Sequence, residues 1–517
     1  MAMVMAMVTA TEMRRLSTLT FVGVLFGMTM GVAHAGVWDI EPSISLGETA
    51  TNNVGHTNKR QQSDWITDVS PGISINGYGD RVKLNLDYRL HRLYYNNESW
   101  RNNTQNALNA KGTLEALENW LFVDATAIIT QQNRSAFGGS TYGGVDVDNS
   151  NNTTETRTYQ LAPYIKGFLG LSTEYLIRYD YTKMTSNDNL ASNTENRQIS
   201  GHLGGMTGLS WLGWSLDANK QDNSFDRGRD TSAKLAKGTL ILRVDPQFRV
   251  LLIGGWETND YSSLKQKSNS ITGGGFEWSP TQRTLLSVTR ERRFFGDADN
   301  ITFTHRTAGT AWKYRQTKDA YTAADQMTGS VGSYYSLLDS MFSAAIPDAL
   351  ARAAYVNAVL LSSGISPDAA LQGGFMTTGV TLRKMKELSF ALVGVRNTVT
   401  FAATRSETRD VSNGTGSGWF LGTDFFNYNN VKQTGASVNW SHKLTGLSSL
   451  TGSASRLKSE GTGSVTRERT VEKMYTLNFM TQLGPKTNAG FGVRRIEMDA
   501  TPDYTENMAT ATLSHRF

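Results

Sequence analysis

The side chains in this sequence that could do chemistry are cations at near-alternate spacing. Arg81, Lys83 and Arg89 recur within one short stretch, Arg290, Arg292 and Arg293 crowd around Glu291, and Arg494, Arg495 and Arg516 stand near the C-terminus. On an extended strand alternate residues share a face, and Arg81, Lys83, Arg89, Arg293, Arg494 and Arg516 are the candidates for a charged inner wall. Two readings stay open. Such cations line a path for an anionic solute or polymer, or they pair with acidic neighbours across a lumen and hold its wall together. Other chemistry finds little support. There is no GxSxG elbow, HExxH pair, phosphate-binding loop or dinucleotide fingerprint. His56, His91, His202, His305, His442 and His515 are scattered without metal-ligand spacing. Asp146 and Asp148 read as loop carboxylates, calcium ligands at most and solvated charge otherwise. Zero cysteines exclude a disulfide scaffold, a thiolate zinc site and a CxxC redox pair. No catalytic residue, cofactor or metal is therefore expected, nor an enzyme, and a net charge of only +5, evenly spread, makes no case for nucleic acid.

The elements that must position these charges are strands. From Arg81 to His91, Val82, Leu84, Leu86, Tyr88 and Leu90 fall on one face, while Arg81, Lys83, Asn85, Asp87, Arg89 and His91 fall on the other. Burying that polar row in a dry core costs several kcal/mol for each unpaired charge, so it must face water. Tyr175, Ile177, Tyr179 and Tyr181 alternate with Glu174, Arg178 and Asp180, and Tyr475, Leu477 and Phe479 alternate with Thr476 and Asn478. The chain closes on the same rule, with Ala509, Ala511, Leu513 and Phe517 against Thr510, Thr512, Ser514 and Arg516; His515 alone breaks the apolar row.

Short turns are predicted at 77–80, 118–119, 167–170, 211–213, 245–246, 279–281, 307–310, 394–397, 445–446 and 484–485, each rich in turn-forming residues. Longer polar loops such as 50–62, 133–153 and 411–429 separate the hairpins. Ten turns and eleven loops make about 22 strands, an even number that brings both ends to one side of a membrane. The division of Ile301–Tyr321 into two strands decides that parity. Tyr78, Trp120, Phe168, Trp211, Phe248, Trp278 and Trp312 sit beside short turns, where an interfacial aromatic girdle belongs. The expected fold is all-β, a transmembrane antiparallel up-and-down barrel enclosing a cylinder on the order of 40 Å across. Hydrophobic residues at 39% and a mean hydropathy of −0.37 suit a wall with one lipid face better than several buried cores.

Two segments stand apart. Residues 1–35 read as a signal peptide, with Arg14-Arg15, an apolar run from Leu16 to Met30 and the small-x-small site Ala33-His34-Ala35, cleaved after Ala35; residues 36–517 are then the barrel. Within the longest connection, 322–374, Leu337, Leu338, Met341 and Phe342 follow a helical period, so two short helices are expected, as a plug in the mouth or a cap on neighbouring loops. A receptor with a plug domain ahead of the barrel does not fit a first strand starting near Val37.

Phe517 resembles the terminal aromatic read by the outer-membrane assembly machinery of Gram-negative bacteria, which implies that machinery and outer-membrane lipid as partners. Trp278-Ser279-Pro280-Thr281-Gln282-Arg283-Thr284, Phe295-Gly296, His305-Arg306-Thr307 with Trp312, and Gly394-Val395-Arg396-Asn397-Thr398 are similar to motifs of an uncharacterised family. It comprises outer-membrane barrels associated with PEP-CTERM/exosortase systems and encoded beside exopolysaccharide gene clusters. The resemblance covers the mature chain and implies a channel or envelope component near exopolysaccharide export, with no catalytic residues to carry over. The alternatives are a general porin-like channel for small solutes and a structural or adhesive surface protein with a plugged lumen.

Overall fold

A computed structural model describes residues 36–139, 146–147, 152–187, 193–322, 325, 338–339, 342, 352, 356, 375–377, 379–411, 423–463 and 467–517. The strands are β1 Val37–Thr51, β2 Asp64–Tyr78, β3 Val82–Tyr95, β4 Asn103–Leu117, β5 Leu121–Asn133, β6 Thr153–Leu169, β7 Thr173–Ser186 and β8 Thr194–Met206. There follow β9 Leu212–Phe225, β10 Thr231–Arg243, β11 Phe248–Asn259, β12 Lys267–Thr281, β13 Thr284–Arg293, β14 Gly296–Arg306, β15 Thr310–Tyr321 and β16 Thr381–Val393. The last are β17 Asn397–Asp410, β18 Asn430–Lys443, β19 Ser448–Thr462, β20 Arg467–Gly484, β21 Thr487–Asp499 and β22 Tyr504–Arg516. Each pairs antiparallel with the next, and β22 pairs with β1 from Ser43↔Arg516 to Thr51↔Met508. The 22-stranded sheet is thus closed, and no strand edge is left unpaired.

Closure fixes which side every residue faces. Ile40, Ile44 and Leu46 of β1 stand in register with Ile75, Pro71 and Val69 of β2, and Ile75 and Val69 lead on to Leu86 and Arg92 of β3. Followed around the ring, this parity returns to β1 through Leu46↔Leu513 and Ala50↔Ala509 without a slip. The outer row exposes Trp38, Ile44, Leu46, Trp120, Ile177, Leu216, Trp278, Trp312, Tyr475 and Leu513, so many large apolar groups on one continuous surface that lipid is its natural solvent. The inner row carries the polar and charged side chains. No described helix is long and apolar enough to cross a membrane; a barrel crosses with strands.

The strand count and the division at 307–309 are as expected, and 50–62, 133–153 and 411–429 fall on the long connections. Some turns are displaced: β9 already begins at Leu212, β6 runs to Leu169, and β12 continues through Pro280 to Thr281 with a register shift between Trp278 and Thr281. Pro280 has no N–H to donate, and an irregular strand end tolerates it. Glycine shapes the wall at one corner. A Cβ on Gly275 would lie 2.2 Å from the Val288 carbonyl oxygen, and one on Gly273 would lie 2.4 Å from that of Arg290, so β12 approaches β13 more closely than any side chain permits.

The helical insertion over 322–374 lies largely outside the described residues, Leu337 and Met341 among them. Leu338 and Phe342 are described and are 6% and 1% exposed. Arg352 Nε donates to Asp339 Oδ1 at 2.8 Å. Residues 1–35, with Ala33 and Ala35, also lie outside the described residues.

Candidate functional site

The inner wall places the candidate cations at different levels. Lys83 and Arg89 face the lumen on β3, and neither has an acidic partner within 4.0 Å among the described residues. Arg516 faces inward at the short-turn end, 3.3 Å from Glu41 Oε2. Arg494 faces inward on β21, its Nη2 2.6 Å from Met508 Sδ. Arg81 lies just before β3 on the short-turn rim, 3.7 Å from Glu118. Arg293 is the most enclosed, 13% exposed, with its Nη2 2.9 Å from Glu257 Oε2 and its Nη1 3.7 Å from Asp319 Oδ1. The dense cluster read at 290–293 is divided by alternation. Arg293 and Glu291 point inward, while Arg290 and Arg292 share the outer face with Leu286 and Val288.

One inner-wall constellation has the residue types of a catalytic triad. Ser70 Oγ lies 2.6 Å from Asp68 Oδ1 and 2.9 Å from His91 Nδ1, and His91 Nδ1 also lies 2.9 Å from Asp68 Oδ2. Serine and aspartate thus meet the same ring nitrogen. A relay needs one on each nitrogen, so this is a hydrogen-bonded brace of β2 and β3.

At the long-loop end the lumen is crossed. The connection leaving β5 runs to the far wall, where Ser135 Oγ and Ala136 N donate to the two carboxylate oxygens of Asp424 at 2.6 and 2.7 Å. Asp424 lies in a short helix, Thr423–Asn427, and burial raises its pKa against those two hydrogen bonds. The Phe137 ring lies 4.9 Å from Tyr428, within a buried cluster of Ala136, Phe137, Phe375, Phe425, Tyr428 and inward-facing Val431 of β18. A Cβ on Gly139 would come 2.6 Å from the Tyr504 hydroxyl on β22. Nearer β6, Gln105 Nε2 donates to the Asp146 carbonyl at 2.8 Å, Asp146 N donates to Gln105 Oε1 at 2.9 Å, and Tyr95 Oη donates to the Val147 carbonyl at 2.7 Å. Val147 packs on Val54, Ile66, Leu93 and Tyr95. Since β18 stands nearly half the ring away from β5, this one loop spans the mouth.

Asp146, one of two residues considered for calcium, is buried with its carboxylate on the Thr153 hydroxyl and so ties the loop to β6; Asp148 lies outside the described residues. Among the described residues no group of three His, Asp or Glu is placed to hold a metal ion.

Beside this crossing, on the wall from β8 to β15, a cavity of about 550 Å³ remains. Its amides are Gln198, Asn219, Gln221 and Asn259, and its rings are Tyr261, Phe294 and Tyr321. Lys237, Arg293 and Arg315 stand among Glu257, Asp319 and Asp325, so the inward-facing cations and acids are matched; Lys234, also in the lining, sits at an outward position of β10. Lys237 Nζ lies 3.2 Å from Glu291, and Gln221 Nε2 reaches Asp325, the start of the long connection after β15, at 3.3 Å. Tyr261, in the loop after β11, has its ring 5.7 Å from that of Phe294 and tilted against it, and burial raises its hydroxyl pKa well above the usual phenol value. Sequence reasoning missed both the crossing loop and these amides. The available signal was aromatic residues, Phe137, Phe375 and Phe425, set in otherwise polar loops.

No protein-family model matches the chain, and no curated protein matches it. Among solved structures it is similar to the siderophore receptor PirA of Acinetobacter baumannii, at 9% identity over 94% of this chain and 81% of that one, with a TM-score of 0.48. It is also similar to the FrpB iron transporter of Neisseria meningitidis, F5-1 variant, at 11% identity over 93% and 83%, with a TM-score of 0.49. The outer membrane protein OpdK of Pseudomonas aeruginosa matches at 9% identity over 93% and 99%, with a TM-score of 0.35. Likeness at this level reaches no further than a barrel, and what this chain does must be argued from its own residues.

Proposed function

We propose that the protein is an outer-membrane channel for polar solutes, its long loops outside the cell and its pore narrowed by the loop that spans the mouth. The observation that carries this reading is the charge-matched, amide-lined cavity left beside that loop. A wall of paired ions gives no net pull on an anion or a cation. Amides and hydroxyls beside aromatic faces instead suit a neutral, polyhydroxylated solute, since they offer donors, acceptors and an apolar surface together. Saccharides are therefore the favoured cargo. The narrower reading, from the resemblance to barrels of PEP-CTERM/exosortase systems, is that the saccharide is an exopolysaccharide on its way out. Export would follow a cleaved leader, and insertion would use the assembly machinery that reads Phe517.

The second reading is a scaffold with a blocked lumen, and the buried cluster around Phe137 and Tyr428 favours it. Planar-bilayer conductance separates the two. Wild-type protein is expected to give small steps that an added oligosaccharide interrupts. Asp424→Ala, which removes both hydrogen bonds holding 135–136 to the far wall, each worth about 1.5–3 kcal/mol as bonds to a charged group, is expected to give larger and noisier steps. Silent membranes with both proteins would leave the scaffold as the better account.

A further inference from the structure

Around the outside of the barrel, the apolar row gives way toward the long-loop end to polar residues, such as Thr67 on β2 and Thr258 on β11, and on other strands to charge. Neighbouring strands can balance it, as Arg290 opposite Asp299 and Arg292 opposite Asp297 do on β13 and β14. On β15, β16 and β17 five cations stand with one acid, Glu407. Lys318 stands directly opposite Lys384, and Lys386 directly opposite Arg405. Glu407, the acid on this face of these strands, stands directly opposite Lys384, and Arg409 follows one outward step beyond it. Residues opposed in this way have Cβ atoms about 4.5–5.5 Å apart, and like charges there repel. The inner face of the same region does the reverse: Arg315 is opposite Glu387 and Asp319 is opposite Arg383. Glu407 already accepts from Arg405 Nη2 at 2.8 Å. Lys384, Lys386 and Arg409 have no acidic partner within 4.0 Å among the described residues, and Lys318 Nζ donates to the Asp297 carbonyl oxygen at 2.8 Å, with the Asp297 and Asp299 carboxylates of β14 further off. Two weaker instances, Lys220 opposite Lys234 and Arg456 opposite Lys473, lie on the same outer belt.

We propose that the outer face of β15–β17 is a docking site for phosphorylated headgroups of the lipid leaflet at the long-loop end. The occupant follows from what lies next to the cations. On the same strands the adjoining outward residues are Trp312, Tyr314, Leu388, Phe390 and Phe401, so a molecule whose tails cover these rings and side chains sets its headgroup against Lys318, Lys384, Lys386, Arg405 and Arg409. Phosphate oxygens then supply the negative charge that the protein withholds. A second copy of this chain is the poorer occupant, because the patch meeting itself across a two-fold axis would double the repulsion.

The test is native mass spectrometry of the full chain released from phosphatidylcholine bilayers containing diphosphorylated lipid A. It compares wild type with Lys318→Gln/Lys384→Gln/Lys386→Gln/Arg409→Gln and with a lumen control, Lys83→Gln. Heat-modifiable migration on gels confirms that all three are folded. Wild type and the control are expected to retain lipid A, the quadruple variant at least roughly tenfold less, with about a thousandfold as the upper limit at about 1 kcal/mol per cation, and excess inorganic phosphate is expected to displace none of it. Equal retention by wild type and the quadruple variant overturns the proposal. So does displacement by free phosphate, or a wild-type oligomer that the quadruple variant loses without change in bound lipid.

Discussion

Two flanks of the outer wall differ in how far apolar residues climb. On β1 the outward row runs from Trp38 through Ile40, Pro42, Ile44 and Leu46 before Glu48; on β3 it runs from Val82 through Leu84, Leu86, Tyr88 and Leu90 before Arg92. At about 3.4 Å per residue and about 40° of tilt, each is about 26 Å tall, a full hydrocarbon thickness for such barrels. On β16 the row is Leu392, Phe390 and Leu388 before Lys386, and on β17 it is Val399, Phe401 and Ala403 before Arg405, which is about 15 Å. The same membrane cannot fit both flanks undistorted. Either the bilayer thins toward β13–β17, or the long cations there reach up to the headgroups, and each costs a fraction of a kcal/mol per Å of mismatch. The flanks also differ in bracing, since β2 and β3 are tied inside by Asp68, Ser70 and His91, whereas glycine brings β12 against β13.

The comparison is broken most severely by a charge in the middle of the tall flank. Leu86→Arg is expected to lose about 2–4 kcal/mol of folding stability in bilayers, while Leu388→Arg, one outward step below Lys386, loses about 0–1 kcal/mol; equal losses in a urea titration from vesicles would mean the flanks sit in the same lipid environment. Gly275→Val places side-chain atoms against the Val288 carbonyl, which is backbone and cannot swing away. Its expected outcome is a lower yield of heat-modifiable barrel, at a cost of about 1–3 kcal/mol as for overpacking. A smaller effect is expected from Lys384→Leu/Lys386→Leu, which extends the short row by two outward steps. Its stability optimum, read across a series of lipid chain lengths, should move toward thicker bilayers by about 1 kcal/mol between the extremes.

How legible this was in the sequence depends on the range of the interaction. Turns and loops are local, and Asp245-Pro246 or Thr445-Gly446 announce themselves. Faces follow from period 2, so Leu84, Leu86 and Tyr88 could be set against Lys83, Asn85 and Asp87 with no partner strand in view. In the cluster at 290–293 the same rule singles out Arg293 for the inner wall, since Leu286 and Val288 fix Arg290 and Arg292 on the outer face. The crossing loop was not legible. Phe137 finds Tyr428, and Ser135 finds Asp424, only once the sheet has closed and brought β5 and β18 to opposite sides of one mouth. The like-charge pairs also required the register, since Lys318 and Lys384 are far apart in sequence.

The most direct test of the central claim, that neighbouring residues of one closed wall touch lipid and water in turn, uses the absence of native cysteine. Leu86→Cys and Asp87→Cys, each carrying one thiol, are reacted in vesicles with a water-soluble maleimide and, separately, with a fluorophore quenched by brominated lipid. The account predicts slow maleimide reaction and strong quenching at 86, with fast reaction and weak quenching at 87. The same behaviour at both positions would contradict it.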